Sequence, residues 1–367
     1  MTRAELVIVG AGPAGLSAAI EAAKNGVKVL LIDENAKPGG QLFKQIHKFF
    51  GSKAHRAGVR GYVIGQQLLQ ETEELGIEVW LNSEVCGIED SGHLLWVIRD
   101  GKESVQVRAE KLILSTGASE NAVTFPGWNL PGVMGAGAAQ TMINVHRVLP
   151  GKHIVMVGSG NVGVIVSYQL LQAGASVEAI VEAAPKIGGY GVHTAKVCRA
   201  GVPFYVGHTV KKAYGTDRVE AVDLIALDEK FRQIPGTEIH LACDTVCLAT
   251  GLTPLTELAW LAGCKFDFIG ALGGNIPMHN EKMQTSVPNV YIAGDIAGTE
   301  EASTAMEEGR LAGVNVACAL GHCTAEHAKT RSDEIWENLN ALRCGYFGQR
   351  RRDAKDLILK KGADLGI

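Results

Sequence analysis

Leu6-Val7-Ile8-Val9-Gly10-Ala11-Gly12-Pro13-Ala14-Gly15, then a helical run, then Val27-Lys28-Val29-Leu30-Leu31-Ile32-Asp33, decides the reading of this chain. The order is apolar strand, glycine turn, helix, second apolar strand and acid. Gly10 allows the sharp exit from the strand, Gly12 lets the backbone approach a pyrophosphate, and Gly15 lets the helix pack closely on the strands. Pro13 and Ala14 open the helix, whose N-terminus presents N–H groups and the positive end of its dipole to an anion. Asp33, with Glu34 behind it, stands where a ribose hydroxyl can donate to a carboxylate. The stretch therefore predicts a dinucleotide-binding βαβ unit.

The rest of the chain repeats it. Ile154-Val155-Met156-Val157-Gly158-Ser159-Gly160-Asn161-Val162-Gly163 restates the turn 148 residues after Gly10. Ser115-Thr116-Gly117-Ala118 closes a buried apolar segment in the first half, and Ala249-Thr250-Gly251 does so in the second. Two such units mean two dinucleotide-binding folds. By spacing Val181 matches Asp33, and the acid comes one residue later at Glu182, a shift that a loop would have to absorb. Ala183, Ala184 and the single cation Lys186 follow, which favours NAD(H) over NADP(H) at a working second site; a degenerate structural repeat is the alternative.

Between the repeats, 62–75 reads as a helix, and 77–81, 84–88, 94–99 and 105–108 read as a strand followed by an antiparallel meander. A separate buried strand is expected from Lys111. Pro38-Gly39-Gly40-Gln41 suits a loop passing close to a flat cofactor. Residues 43–61 are basic and aromatic, with Lys44, His47, Phe49, Phe50, His55, Arg56 and Arg60 punctuated by Gly51, Gly58 and Gly61. They form either a solvated surface loop or an anion-binding wall over the cofactor. Ala293-Gly294-Asp295 ends a later strand, where the acid can accept from a ribityl hydroxyl. The helix after it carries Glu300, Glu301, Glu307, Glu308 and Arg310. From Arg343 on, seven Lys/Arg oppose three Asp in an amphipathic helical tail, either a solvated face or a docking arm for a partner.

Composition excludes several classes. The chain has 367 residues, 46% hydrophobic and 20% charged, with net charge −4. That balance argues against bulk nucleic-acid binding. No apolar run reaches the ~18–20 residues of a membrane span. A strand begins almost at once after Met1, leaving no room for a signal peptide, so the expectation is cytoplasmic. The eight cysteines contain no CxxC pair. They read as free thiols in a reducing compartment, with Cys243 and Cys247 on one face of a single strand. No metal cluster is expected.

The ordered set of motifs resembles the flavoproteins with two dinucleotide-binding domains, in the thioredoxin-reductase-like layout. That resemblance covers about residues 4–321 and implies FAD extended across the first domain. Gly10–Gly15 would hold the pyrophosphate and Asp33 the adenine ribose. Gly40 and Gln41 would pass near the isoalloxazine, and Asp295 would bind the ribityl chain. The second domain would take a nicotinamide nucleotide.

The fold expected is α/β, two Rossmann-like three-layer domains with the second inserted in the first, plus a helical tail. The bounds are 1–120 with 276–325 for the FAD domain, 121–275 for the NAD(P)-like domain and 326–367 for the tail. Ala184–Gly189, Ala262–Cys264 and the run from Gln284 through Gly313 resemble one subgroup. It comprises the α-type subunits of opine oxidases, hydrogen cyanide synthase and dye-linked proline dehydrogenases, which work with a second, amine-oxidising flavin subunit. Two departures stand out. Without CxxC, disulfide exchange is not expected. Relatives in the subgroup often carry a C-terminal cysteine cluster for an iron–sulfur centre, whereas here Cys344 stands alone.

The function expected is an FAD-dependent oxidoreductase, the electron-transfer or NADH-handling subunit of an amino-acid- or opine-type dehydrogenase. Its partner would be a second flavoprotein subunit or a further copy of itself. Two alternatives stay open: a self-sufficient NADH:acceptor reductase and a non-catalytic nucleotide-binding scaffold. Lys44, His47 and Arg56 are the catalytic candidates, by analogy of loop position.

Overall fold

The computed structural model describes residues 2–49, 53, 56–364, 366 and 367, with the backbone alone for Tyr346 and Phe347. Phe50, Gly51 and His55 of the basic loop lie outside the described residues. The chain forms two compact units, residues 1–119 with 253–367, and residues 120–252.

The first unit opens with β1 (Thr2–Val9), α1 (Pro13–Lys24), β2 (Val29–Ile32), α2 (Gly61–Glu74), β3 (Glu78–Trp80), β4 (Ser83–Glu89), β5 (Leu94–Arg99) and β6 (Glu103–Leu114). A short β7 (Ala118–Glu120) leads out of it. Strands β3, β2, β1 and β6 run parallel in that order, and the β4–β5 hairpin joins β6 antiparallel. Leu6, Val7, Ile8, Leu31 and Ile32 are fully buried. A parallel sheet covered on both faces demands such unbroken apolar runs. The meander strand at 105–108 and the buried strand from Lys111 are one strand, not two. The N-terminal half of β6 pairs with β5 and its C-terminal half with β1, so the backbone never needs to break between them.

The second unit contains β8 (Val133–Gly135), α3 (Ala136–Thr141), β9 (His153–Val157), α4 (Asn161–Gln172), β10 (Ser176–Glu182), α5 (Gly191–Arg199), β11 (Phe204–Val206), β12 (His208–Tyr214), β13 (Ala221–Ala226), β14 (Ile239–Ala242) and β15 (Thr245–Leu248). The parallel order is β11-β10-β9-β15-β8, with a β12-β13-β14 meander apart from it. The unit repeats the architecture of the first, but its outer strand β8 precedes β9 in the chain. Cys243 lies in the turn between β14 and β15, so it and Cys247 do not share one strand; both are buried.

The chain returns through β16 (Leu252–Pro254), which pairs with β7, then α6 (Glu257–Leu261), β17 (Phe266–Ile269), β18 (Gly274–Pro277), β19 (Val290–Ile292), α7 (Ala302–Ala319), α8 (Ala325–Leu342) and α9 (Gly345–Asp364). β19 completes the first sheet beside β6. Residues 253–275, expected in the inserted domain, belong to the first unit. Ala259, Ala262 and Cys264 bury in the same core as Leu6 and Leu112, which holds them there. The tail also belongs to this unit. Ala328, Ile335 and Leu339 of α8 enter the main core, and Ala354 and Ile358 of α9 pack on Ile269, Leu272, Ile276 and Met278.

Candidate functional site

The first turn is built by close packing everywhere except at one glycine. Gly10 has φ +100°, and a Cβ there would lie 2.3 Å from the Ser115 carbonyl oxygen. A Cβ on Gly15 would lie 1.8 Å from the Gly10 oxygen. At Gly12 the backbone is extended (φ −77°, ψ −173°), and a Cβ would meet no atom within 4 Å. The protein's own packing therefore requires Gly10 and Gly15, whereas Gly12 keeps clear a space outside the chain. No side chain caps the start of α1. Bare helix amides beside open space fit a pyrophosphate.

The expected cofactor residues gather around this turn. Asp33 is buried and accepts from the Ala11 N–H at 2.6 Å and from the Asn35 N–H at 2.8 Å. The Gly39 N–H donates to the Ala11 carbonyl at 2.7 Å, and a Cβ on Gly40 would fall 2.9 Å from the Gly12 Cα. Gln41 and Glu34 are exposed. The Ser115 hydroxyl donates to the carbonyls of Val9 and Gly10, and the Thr116 hydroxyl donates to that of Leu255. Gly117 follows with φ +79°. A Cβ on Gly294 would sit 2.8 Å from the Ala14 Cβ, which sets Asp295 near the start of α1. Helix α7 reaches α1 through its own glycines. A Cβ on Gly309 would lie 2.1 Å from the Ala14 oxygen.

Asp295 is half-buried and accepts from the Glu300 N–H at 3.2 Å. Burial pushes its carboxyl up to about 6, with the nearby Glu308 adding to the rise. A carboxylate so poorly solvated is a ready acceptor for ligand hydroxyls.

The second turn reproduces the first. Gly158 has φ +104°, and a Cβ there would lie 2.2 Å from the Ala249 oxygen. At Gly163 a Cβ would lie 2.0 Å from the Gly158 oxygen, and at Gly160 it would meet nothing within 4 Å. Glu182 accepts from the Ser159 N–H at 2.9 Å, the Ser159 hydroxyl at 2.6 Å and the Ala184 N–H at 2.9 Å. Asn161 accepts from the Tyr190 N–H, and Val162 is exposed. The Thr250 hydroxyl donates to the Asn121 carbonyl, and the Asn121 N–H donates to Gly251. Two features were missed in the sequence. Ser159 fastens Glu182, and the Gly188 N–H donates to the Ser159 hydroxyl at 3.0 Å. Gly188-Gly189 thus repeats Gly39-Gly40, six residues after the acid in both cases.

The described residues of the basic loop are partly anchored, while Lys48, Lys53, Gly58 and Arg60 are exposed. Phe49 is buried, Lys48 and Arg60 form an antiparallel bridge, and Phe43 packs near Gly39 and Gly65. Lys44 ends a 3-10 turn beginning at Gly40. His47 stacks on Phe49 with centroids 6.0 Å apart. Arg56 donates to Gln67 on α2 at 2.7 Å, and burial lowers its basicity. The contact with Gln67 ties Arg56 to α2.

All eight cysteines are free thiols, with no disulfide between them. Burial pushes the thiols of Cys243 and Cys247 up to about 12. Among the described residues, no group of His, Cys, Asp and Glu could hold a metal ion. No helix among them is long and apolar enough to cross a membrane.

The pyridine nucleotide-disulphide oxidoreductase family matches residues 4–309. The chain belongs to this family. It is 31% identical to an opine oxidase subunit of Rhizobium meliloti, over 86% of this chain and 71% of that protein. It is also 31% identical to the HcnB subunit of the hydrogen cyanide synthase of Pseudomonas protegens, over 97% of this chain and 78% of that one. Among solved structures it resembles the thioredoxin reductase of T. acidophilum, with a TM-score of 0.71 at 22% identity, covering 87% of this chain and 99% of that one. The two-domain fold is therefore that of the thioredoxin reductases. The protein is an FAD-binding oxidoreductase with a second, NAD-binding type of fold.

Proposed function

We propose that this chain is the electron-transfer or NADH-handling subunit of a multi-subunit amino-acid- or opine-type dehydrogenase. The single observation that carries this reading is its similarity to the opine oxidase and hydrogen cyanide synthase proteins, both named as subunits. The high-lying buried thiols and the missing CxxC argue against disulfide exchange by this chain. Gly10, Gly12, Pro13, Ala14 and Gly15 would hold the FAD pyrophosphate, with Asp33 on the adenine ribose. Gly40, Gln41, Thr116 and Gly117 would flank the cofactor, and Gly294 and Asp295 would take the ribityl chain. When bound, FAD supplies hydride and single-electron chemistry, while the protein supplies orientation and electrostatics. Lys44 and His47 are proposed to lie nearest the reacting ring, with Arg56, held to α2 through Gln67, contributing positive potential.

The test is purification of the chain with the products of neighbouring genes. A complex that oxidises a secondary amine or amino acid and reduces this chain's flavin is expected. A monomer or homo-oligomer with vigorous turnover of its own would overturn the reading.

One observation favours a second reading, an NADH:acceptor reductase. The turn at Gly158–Gly163 keeps the open space at Gly160, and Glu182 is held like a ribose acid. Anaerobic NADH should then bleach the flavin band near ~450 nm, the absorbance a flavin cofactor brings. Absence of bleaching with either nicotinamide nucleotide sinks that reading.

A further inference from the structure

Two cations of the C-terminal helices end inside the first unit. Arg343, at the end of α8, and Lys355, on α9, are each 3% exposed. The Arg343 guanidinium donates to Glu300 Oε2 and to Glu308 Oε1, both at 2.5 Å. Lys355 Nζ donates to Glu308 Oε1 at 2.7 Å and to the Ala297 carbonyl at 2.9 Å, and lies 3.7 Å from Glu300 Oε2. The contacts continue to the cofactor turn. Glu308 Oε2 accepts the Gly294 N–H at 3.1 Å, and the Glu300 N–H donates to Asp295 Oδ1.

The charges balance within this group. Burial pushes Glu308 up, but Lys355 and Arg343 hold it below the usual carboxylate range. His279, buried beside them, is driven down to about 4 by burial and by Lys355, so it adds no charge at neutral pH. Two carboxylates thus meet two cations, and Asp295 is the remaining acid. Lys355 sits between Ala354 and Ile358 on the buried face of α9. That helix is seated tightly, since a Cβ on Gly362 would lie 2.5 Å from the His279 oxygen. An apolar docking face with a lysine at its centre is costly unless the charge is used.

We propose that Arg343 and Lys355 are positioning residues for FAD: the C-terminal helices complete the cofactor site from behind by neutralising Glu300 and Glu308 and so fixing the Gly294–Asp295 turn. The tail is then an internal part of the flavin site rather than a docking arm. This rests on the FAD reading of the site above.

The experiment uses deflavinated full-length protein, with FAD affinity followed by quenching of flavin fluorescence across pH 5–8. Lys355→Met should weaken FAD binding by about tenfold or more, because it strands a buried carboxylate. Its FAD release should also move to higher pH, because Lys355 favours the ionised form of Asp295. Lys355→Arg should restore both. Lys355→Met with Glu308→Gln removes the two charges together and should recover affinity to within about threefold of wild type. Arg350→Ala, on the exposed side of α9, is the control. Affinity within twofold of wild type in Lys355→Met overturns the proposal, as does equal loss in the single and double variants with an unmoved pH profile. If Lys355→Met does not fold, the double variant decides: folded and FAD-binding supports the proposal, folded and FAD-free overturns it. Failure of wild-type apoprotein to take up FAD would instead sink the FAD reading itself.

Discussion

Glu182 stands to Ser159 as Asp33 stands to Ala11. Each acid accepts the N–H of the residue after the first glycine of its turn, at 2.9 Å and 2.6 Å, and each accepts the N–H two residues further along its own chain. Each first glycine in turn donates to the residue before the acid, Gly158 to Val181 and Gly10 to Ile32. The extra residue in the second unit is absorbed by a β-bulge between Val177 and Ala179, inside β10, and not by a loop. A bulge adds one residue to a strand without changing what its end presents.

Glu182→Gln should therefore raise the Kd for NADH by about tenfold or more, as loss of a charge-assisted hydrogen bond does, and leave flavin content unchanged. Anaerobic titration of the flavin with NADH checks it. Unchanged NADH affinity would return the second unit to a structural repeat.

Gly12→Val and Gly160→Val form a matched pair. Neither Cβ meets an atom of the chain within 4 Å, so both variants should fold. Gly12→Val should purify without flavin, since its side chain fills the space a pyrophosphate needs. Gly160→Val should purify yellow and fail to be reduced by NADH. The ratio of absorbance near ~450 nm to protein absorbance reads the flavin content directly.

Asp295 links retention to pH. Its folded carboxyl titrates near about 6, above the ordinary carboxyl value of 3.8, so the folded apoprotein binds this proton more readily than the unfolded chain does. Above about 6 the buried charge costs stability, and that cost fades as pH falls through this window. Asp295→Asn should accordingly raise the melting temperature of the apoprotein at pH 7.5, with the gain shrinking toward pH 5. The same change should weaken FAD binding by ~1–3 kcal/mol, the worth of one or two buried hydrogen bonds. Thermal scans of wild type and variant at both pH values, with an FAD titration, test both signs.

Gly309→Ala should cost ~1–3 kcal/mol in stability, as overpacking does. A methyl there would press on the Ala14 carbonyl, 2.1 Å away, at the start of the pyrophosphate helix. Urea unfolding measures the loss, and flavin should be released at lower urea in the variant.

Thiol labelling separates the cysteines. Cys86, Cys198 and Cys344 are exposed and should react with iodoacetamide in the native protein. Cys243 and Cys247, buried and titrating near about 12, should react only after unfolding. Mass spectrometry of the labelled peptides gives the answer. Rapid native labelling of Cys243 or Cys247 would reopen thiol chemistry for this chain.

Both glycine turns and Asp33 were legible in the sequence because their reasons are local. Gly10 and Gly158 need positive φ, and Gly15 and Gly163 need a missing Cβ against a turn five residues back. Such demands write themselves into spacing. Glu182 was half legible. The paired glycines at 39–40 and 188–189 lie at an offset of 149, one more than the turns, and that difference marks the inserted residue. The unity of β6 was not legible, because its pairing with β1, not composition, carries the backbone through 108–111 past the end of its pairing with β5.

The tertiary structure alone decided where residues 253–275 belong and where the tail packs. A lysine on an amphipathic helix has the same sequence signature whether it faces water or a buried carboxylate. Lys355 meets Glu308 across 47 residues of chain and Arg343 meets it across 35, a separation over which no periodicity speaks. The sequence by itself determined the two nucleotide folds and their glycine turns, since those follow from backbone stereochemistry within one βαβ unit. The buried charge group behind Asp295 was settled only when α7, α8 and α9 packed together, because burial turns ordinary surface residues into paired ions.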